Sequence, residues 1–123
     1  MKFYSAITKE ALESDFSGEY KDAHAIGVVR TGSSNLFFRA GLRHYVIPFS
    51  EITGLFRRIN VVPAQLCCGK GDLEMESLVV VADGREVAVI QLPGKKAARA
   101  LIAELKEKLP EVDFSVPAKT EET

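Results

Sequence analysis

The chain has 123 residues, two cysteines and a net charge of −1, with 46% apolar and 27% charged residues. This length fits one domain, residues 1–123, that buries about two-thirds of its unfolded surface, so neither a metal nor a disulfide is needed for stability. The composition excludes a disordered chain, and the near-neutral charge argues against general attraction to nucleic acid or to an anionic membrane.

Charge is nevertheless placed unevenly. Residues 23–71 carry six basic residues against one acid, Glu51, whereas residues 72–92 carry five acids against one base, Arg85. A single folded unit with this pattern is expected to be dipolar, with one basic and one acidic surface. Such a unit can associate head to tail with itself, or it can bind an anion on its basic side.

The first 22 residues are predicted to be an N-terminal extension that contains a short helix at residues 8–16. Thr8 can cap this helix and Gly18 can end it. Nine residues are too few for helix propensity alone to suffice, so an opening β-strand is the alternative.

The middle of the chain consists of segments in which apolar and polar residues alternate, and this pattern predicts strands. Gly41 lies between the segments at residues 36–40 and 42–48 and is expected to join them in a tight hairpin. Asp83-Gly84 lies between two β-branched runs and is the strongest short-range hairpin signal in the chain. Pro63 is expected to end the long fourth segment. The predicted strands span residues 23–30, 36–40, 42–48, 52–62, 64–68, 73–82 and 85–92.

After Pro93-Gly94 the apolar period changes from two to 3.6 residues. One apolar stripe predicts a helix that ends before Pro110, formed by Ala98, Leu101, Ile102, Leu105 and Leu109. Residues 117–123 are expected to be a mobile tail. The chain is thus predicted to be mainly β, a curled antiparallel sheet or barrel of six or seven strands capped by one C-terminal helix.

This succession of elements, over residues 23–109, resembles the pleckstrin-homology-like (PH-like) superfold, particularly its small bacterial domains. The resemblance is carried by segments 36–41 and 45–52, in which strand, glycine turn, strand and a Pro-x-x-x-Ile motif follow one another, and by the final hairpin and helix. It implies a non-enzymatic scaffold that binds lipids, peptides or proteins. Lipid-binding members carry clustered Lys and Arg around their first loop, but here residues 31–35 are uncharged, which argues against phosphoinositide binding.

Two groups of basic residues are candidate binding sites. Lys95, Lys96 and Arg99 lie in the first turns of the last helix, where free N–H groups and positive charge together suit an anion; a solvated helix face is the alternative. The second group is a basic sheet surface of the kind that suits single-stranded nucleic acid. The isoelectric point of the chain, near 6.1, argues against this use. Edge-blocking charge explains this group more economically; it comprises Arg39, Arg43, Arg57 and Arg58.

No catalytic, cofactor or metal site is predicted. Cys67 and Cys68 are adjacent and close to Lys70, whose charge would lower a thiol pKa, but no histidine is linked to them as a base. The only other soft ligands, His24 and His44, lack zinc-site spacing.

These observations favour a non-catalytic binding or scaffold domain that associates with a protein, including another copy of itself. The alternatives are a module that binds an anion or lipid headgroup and a thiol-dependent enzyme or redox protein. No signal peptide is apparent and no apolar run approaches the roughly 18 residues of a membrane span, so a cytoplasmic location without a transmembrane segment is expected. Nucleic acid is not an expected partner.

Overall fold

The computed structural model describes residues 2–63 and 72–114, and in this part of the chain eight strands and two α-helices form. In chain order these are β1 (Phe3–Ser5), α1 (Ser17–Asp22), β2 (His24–Ile26), β3 (Val29–Thr31), β4 (Asn35–Ala40), β5 (Arg43–Pro48), a 3₁₀ turn (Phe49–Glu51), β6 (Gly54–Pro63), β7 (Asp72–Ala82), β8 (Arg85–Gln91) and α2 (Lys95–Lys108). The predicted strand at residues 64–68 and the predicted tail at 117–123 lie outside the described residues.

The first sheet contains five strands in the order β1-β5-β4-β3-β2. Its centre is the β4–β5 hairpin, in which Phe37 faces Val46 and Ala40 faces Arg43. Gly41 turns this hairpin with a φ of 63°, a conformation that glycine adopts without strain. The hairpin is therefore confirmed, and it forms the middle of the sheet to which the other strands add.

The second sheet contains β6, β7 and β8 in that order, all antiparallel. Asp83 and Gly84 join β7 to β8 with φ angles of 54° and 73°, as a two-residue hairpin turn with two left-handed residues requires. Strand β6 ends at Pro63, which has no N–H to continue a ladder. The sequence-based predictions for this hairpin and for Pro63 are confirmed.

Helix α2 packs against the second sheet and contributes its apolar stripe to the core. Ala98, Leu101 and Leu105 are fully buried, together with Leu36 and Ile47 of the first sheet. The core is therefore enclosed by both sheets and the helix. The expectation of a mainly β chain with a C-terminal helix is confirmed.

The expected single curled sheet or barrel is not observed, because the strands divide into two sheets and neither closes on itself. The break falls after β5, where Pro48 lacks an N–H and the 3₁₀ turn Phe49–Glu51 redirects the chain before β6. Helix α2 spans the open side instead. His24 Nδ1 of β2 lies 2.6 Å from Glu104 Oε1 of the helix, and Lys108 Nζ donates to the Gly32 carbonyl at 3.2 Å.

Residues 23–30, predicted as one strand, form two strands, β2 and β3, joined by a tight turn at Gly27 and Val28. Gly27 has a φ of 61°, and a Cβ at this position would lie 2.9 Å from Pro93 Cδ. The close approach of Pro93 therefore explains why a glycine interrupts an otherwise strand-like run.

The predicted helix at residues 8–16 is wrong. Ser5 Oγ accepts hydrogen bonds from the N–H groups of Ile7 and Thr8, and Lys9 has a φ of 67°, so the chain turns instead of continuing as a helix. The chain then returns along β1, where Leu12 N–H donates to the Phe3 carbonyl at 2.9 Å.

The first 22 residues supply an edge strand and a cover for the first sheet. Strand β1 pairs in parallel with β5, and Phe3 is buried against Phe37 on the face of the sheet that points away from α2. Glu19 of α1 accepts hydrogen bonds from the N–H groups of Ser34 and Asn35 at 2.7 and 2.8 Å. Both faces of the first sheet are thus covered.

No helix in residues 2–63 and 72–114 is long and apolar enough to cross a membrane.

Candidate binding surface

Three chain turns meet at one end of the molecule. The β2–β3 turn lies beside the β4–β5 hairpin, since Arg39 N–H donates to the Val28 carbonyl at 3.2 Å. The connection from β8 to α2 lies beside the same turn, where Pro93 approaches Gly27. This end, comprising residues 27–28, 38–43 and 89–96, is termed the basic tip.

A shallow groove of about 340 Å³ crosses the basic tip between the first sheet and β8. Val28 and Phe38 lie on one side of the groove, and Val89 and Ile90 on the other. Val28 is 40% exposed and Val89 is 53% exposed, while Leu42 at the end of the β4–β5 hairpin is 99% exposed. The basic tip therefore presents apolar side chains to solvent at three points.

The residues that form the basic tip include basic side chains but no acidic ones. The tip is built from two acid-free segments of the sequence, residues 23–50 and residues 87–103. Arg43 lies over the ring of Tyr4, with its Cζ 4.6 Å from the ring centroid. Four more basic residues lie on the tip or next to it, and none forms an ion pair within the described residues: Arg39, Lys95, Lys96 and Arg99. Within residues 27–28, 38–43 and 89–96 positive charge is therefore not paired with an acidic residue.

The start of α2 brings Lys95 and Lys96 to the basic tip, and both are exposed. Gly94 precedes the helix and provides no side-chain cap, so the first N–H groups lack side-chain partners. Two lysines there oppose the helix dipole, an arrangement that costs a few tenths of a kcal/mol each when exposed. Arg99 follows Lys95 by four residues on the same helix face.

The four arginines of the predicted sheet surface are divided between the two sheets. On the second sheet Arg57 donates two hydrogen bonds to Glu76 Oε1, at 3.0 and 2.7 Å. Arg58 donates to both carboxylate oxygens of Glu86, at 3.2 and 2.6 Å. Of these four arginines, Arg39 and Arg43 have no carboxylate partner among the residues that the structure describes.

A second concave feature lies at the opposite end of β5 from the basic tip. It is an open pocket of about 480 Å³ between the N-terminal segment and the first sheet. Glu51 and Asp83, both exposed, contribute carboxylates to its lining. Its apolar side chains are Ile7, Leu12, Phe16, Val46 and Pro48. This pocket is termed the apolar socket.

Lys9 and Arg85 hold the wall of the apolar socket in place. Lys9 Nζ donates to the carbonyls of Ala6 and Val87 at 2.5 and 2.6 Å, and Arg85 Nη2 donates to the Ile7 carbonyl at 2.8 Å. Burial lowers the pKa of Lys9, and the nearby charge of Arg85 lowers it further. The socket could not be predicted from the sequence. The loop that forms its wall contains Lys9 and contacts β8 at Val87, which lies more than 75 residues later in the chain.

The other candidate residues are the two cysteines with Lys70 and the two histidines. Cys67, Cys68 and Lys70 lie outside the described residues. His24 interacts with Glu104, and His44 packs against the rings of Phe3 and Tyr20. In the part of the chain that the structure describes, no three His, Cys, Asp or Glu side chains converge to hold a metal.

No protein-family model, curated protein or solved structure matches this chain. The basic tip and the apolar socket both combine apolar lining residues with charged ones: Arg39 lines the groove at the basic tip, and Glu51 and Asp83 line the apolar socket.

Proposed function

We propose that this chain is a non-catalytic binding domain of the PH-like class, and that its basic tip docks onto a protein partner. The assignment to this class is supported by the order of elements in residues 23–109. Seven strands, β2 to β8, run antiparallel within two sheets and are followed by one helix, α2, that packs into the core. This is the succession on which the PH-like resemblance depends.

The observation that carries the binding proposal is the exposure of Leu42. Its side chain is 99% exposed at the end of a hairpin, with Arg39 and Arg43 close to it in sequence and Val28 and Val89 exposed on the same end. Single exposed apolar residues are ordinary, but several grouped at one end and surrounded by charge are typical of an interaction site. Arginine is also enriched in protein–protein interfaces.

The charge of the basic tip indicates the chemistry of the partner. A surface built from two acid-free segments attracts an acidic protein surface and repels a basic one. Because exposed charges are screened over about 8 Å at physiological ionic strength, binding at the tip should weaken as salt is added.

A photoreactive amino acid placed at position 42 in cells tests this proposal. We expect discrete covalent protein adducts from Leu42 and none from the control position Glu107, which is also exposed and lies near the other end of α2. Arg39→Glu plus Arg43→Glu in the same chain should remove the adducts. Absence of protein adducts at position 42, or equal adducts at both positions, would contradict the proposal.

An anionic lipid headgroup is the second candidate, and the position of Lys95 and Lys96 favours it. The structure places these two lysines at the uncapped start of α2, on the same end as exposed Leu42. Cations beside an exposed apolar side chain are also the arrangement with which peripheral proteins contact anionic bilayers.

Vesicle sedimentation distinguishes this second candidate. Were it correct, vesicles of phosphatidylserine and phosphatidylcholine would bind the chain at low salt, and Lys95→Glu plus Lys96→Glu would reduce the bound fraction at least tenfold. Lys21→Glu plus Lys106→Glu changes net charge equally away from the tip and should leave most binding intact. No binding of the unaltered chain at low salt removes this candidate.

A further inference from the structure

The basic tip ends in a small recognition element. Leu42 projects with 99% of its surface exposed, and Arg39 and Arg43 lie on either side of the same turn. Register places Arg39 opposite His44 and Arg43 opposite Ala40, so the two arginines extend from opposite faces of the hairpin. These three residues are termed the head. A complementary surface would have an apolar pocket for the leucine and carboxylates on its rim for the arginines.

The side chains that line the apolar socket have this complementary chemistry, and the nearby cations Lys9 and Arg85 are engaged with backbone carbonyls. The interior of the socket includes Leu12, Phe16 and Val46, and its lining also carries the carboxylates of Glu51 and Asp83. Within the described residues neither carboxylate takes part in an ion pair. A volume of about 480 Å³ lies in the range of pockets that take small ligands, so it admits one leucine side chain.

The head of one molecule cannot enter the socket of the same molecule. Strand β5 begins at Arg43, beside the head, and ends at Pro48, which lines the socket. Five residue steps along an antiparallel strand separate these positions by about 17 Å. The two surfaces therefore lie at opposite ends of β5, and the head reaches only the socket of another molecule.

We propose that the protein partner of the basic tip is a second copy of this chain, with Leu42 seated in the partner's apolar socket. The arginines of the head then lie against the carboxylates at Glu51 and Asp83. This inference rests on the proposed function, since it uses the basic tip as the binding surface, and it adds the identity of the partner.

The contact is heterologous, because the surface used by one copy differs from the surface used by the other. Each added copy leaves one free head and one free socket, so assembly continues into an open chain or closes into a ring. A contact between two tips would bring cations against cations, which is unfavourable. Head-to-tail association is therefore favoured over a two-fold dimer.

Two single-site variants at exposed positions test this arrangement. Leu42→Asp disables the head and leaves the socket intact, whereas Glu51→Arg disables the socket and leaves the head intact. By sedimentation velocity up to about 1 mM, the average mass of the unaltered chain should rise with concentration past that of a dimer of 13.5 kDa copies. Each variant alone should associate at least tenfold more weakly.

Mixing the two variants gives the decisive measurement. The intact head of Glu51→Arg should enter the intact socket of Leu42→Asp, so the mixture should form a one-to-one dimer and nothing larger. Circular dichroism tests whether both variants are folded. If Leu42→Asp is not folded, Leu42→Asn replaces it, because asparagine is well suited to turns.

Three results would overturn the inference: an unaltered chain that stays monomeric at 1 mM, variants that associate as strongly as the unaltered chain, or a mixture that stays monomeric. The proposed function is judged separately by cross-linking at position 42. An adduct with a different protein, combined with a monomeric chain, would leave the proposed function standing and remove self-association. Adducts of twice the chain mass support both.

Discussion

Replacing Phe3 by alanine is expected to lower the free energy of unfolding by about 3–5 kcal/mol, the usual cost of removing a buried phenylalanine. Phe3 is 1% exposed, and its ring lies 5.6 to 5.7 Å from the rings of Phe16, Tyr20 and Phe37. The substitution would leave a cavity between the N-terminal segment and the first sheet. Urea unfolding followed by circular dichroism measures the change.

Leu42→Ala is the matched control, because it shortens an apolar side chain that is already exposed, and it should change stability by less than about 0.5 kcal/mol. Combining Phe3→Ala with Phe37→Ala should cost less than the sum of the two single changes, since the rings are in contact. A loss of under 1 kcal/mol for Phe3→Ala would mean that the N-terminal segment is not part of the packed structure.

Arg57→Ala is expected to lower the free energy of unfolding by about 3 kcal/mol, whereas Arg58→Ala should cost about 0–1 kcal/mol. The two arginines are adjacent in sequence and each side chain is 26% exposed. Their carboxylate partners differ in exposure: the Glu76 side chain is 2% exposed and the Glu86 side chain is 40% exposed. Removing Arg57 leaves a buried carboxylate without a counter-ion; removing Arg58 leaves one that water can reach.

Thermal and urea unfolding of both variants measure this difference. Arg57→Met combined with Glu76→Leu should recover most of the lost stability, because two apolar side chains leave no charge behind. The value for Arg57 is placed at the low end of the range for buried pairs, since water reaches part of its side chain. Equal costs for the two alanine variants would contradict this account of the second sheet.

The candidate surface could be predicted from the sequence only in pieces. Sequence patterns place Lys95 and Lys96 in one group with Arg99, and Arg39 and Arg43 in another with Arg57 and Arg58. The structure brings Lys95, Lys96, Arg39 and Arg43 to one end, because the β8–α2 connection packs against the turn beside the β4–β5 hairpin. It also removes Arg57 from the set, since Glu76 approaches it from the neighbouring strand. Neither contact is visible in local spacing.

The N-terminal segment shows the same limit. A possible cap at Thr8 and a stop at Gly18 suggested a helix, but Ser5 bonds the following N–H groups and turns the chain. The segment then becomes the wall of the apolar socket because Lys9 reaches the Val87 carbonyl of β8. Helix propensity over nine residues is weak, and tertiary contacts such as these override it.

Period-two alternation, the Asp83-Gly84 turn and the apolar stripe of α2 were sufficient to predict the later strands, their hairpin and the final helix. These features depend on backbone sterics and on which face of an element is apolar. Both are determined by residues that are close together in the sequence. The division into two sheets, the partners of Arg57 and Arg58, and the meeting of three turns at the basic tip were decided by tertiary structure. Each depends on residues far apart in the chain, whose contact arises only when the sheets and α2 pack around a common core.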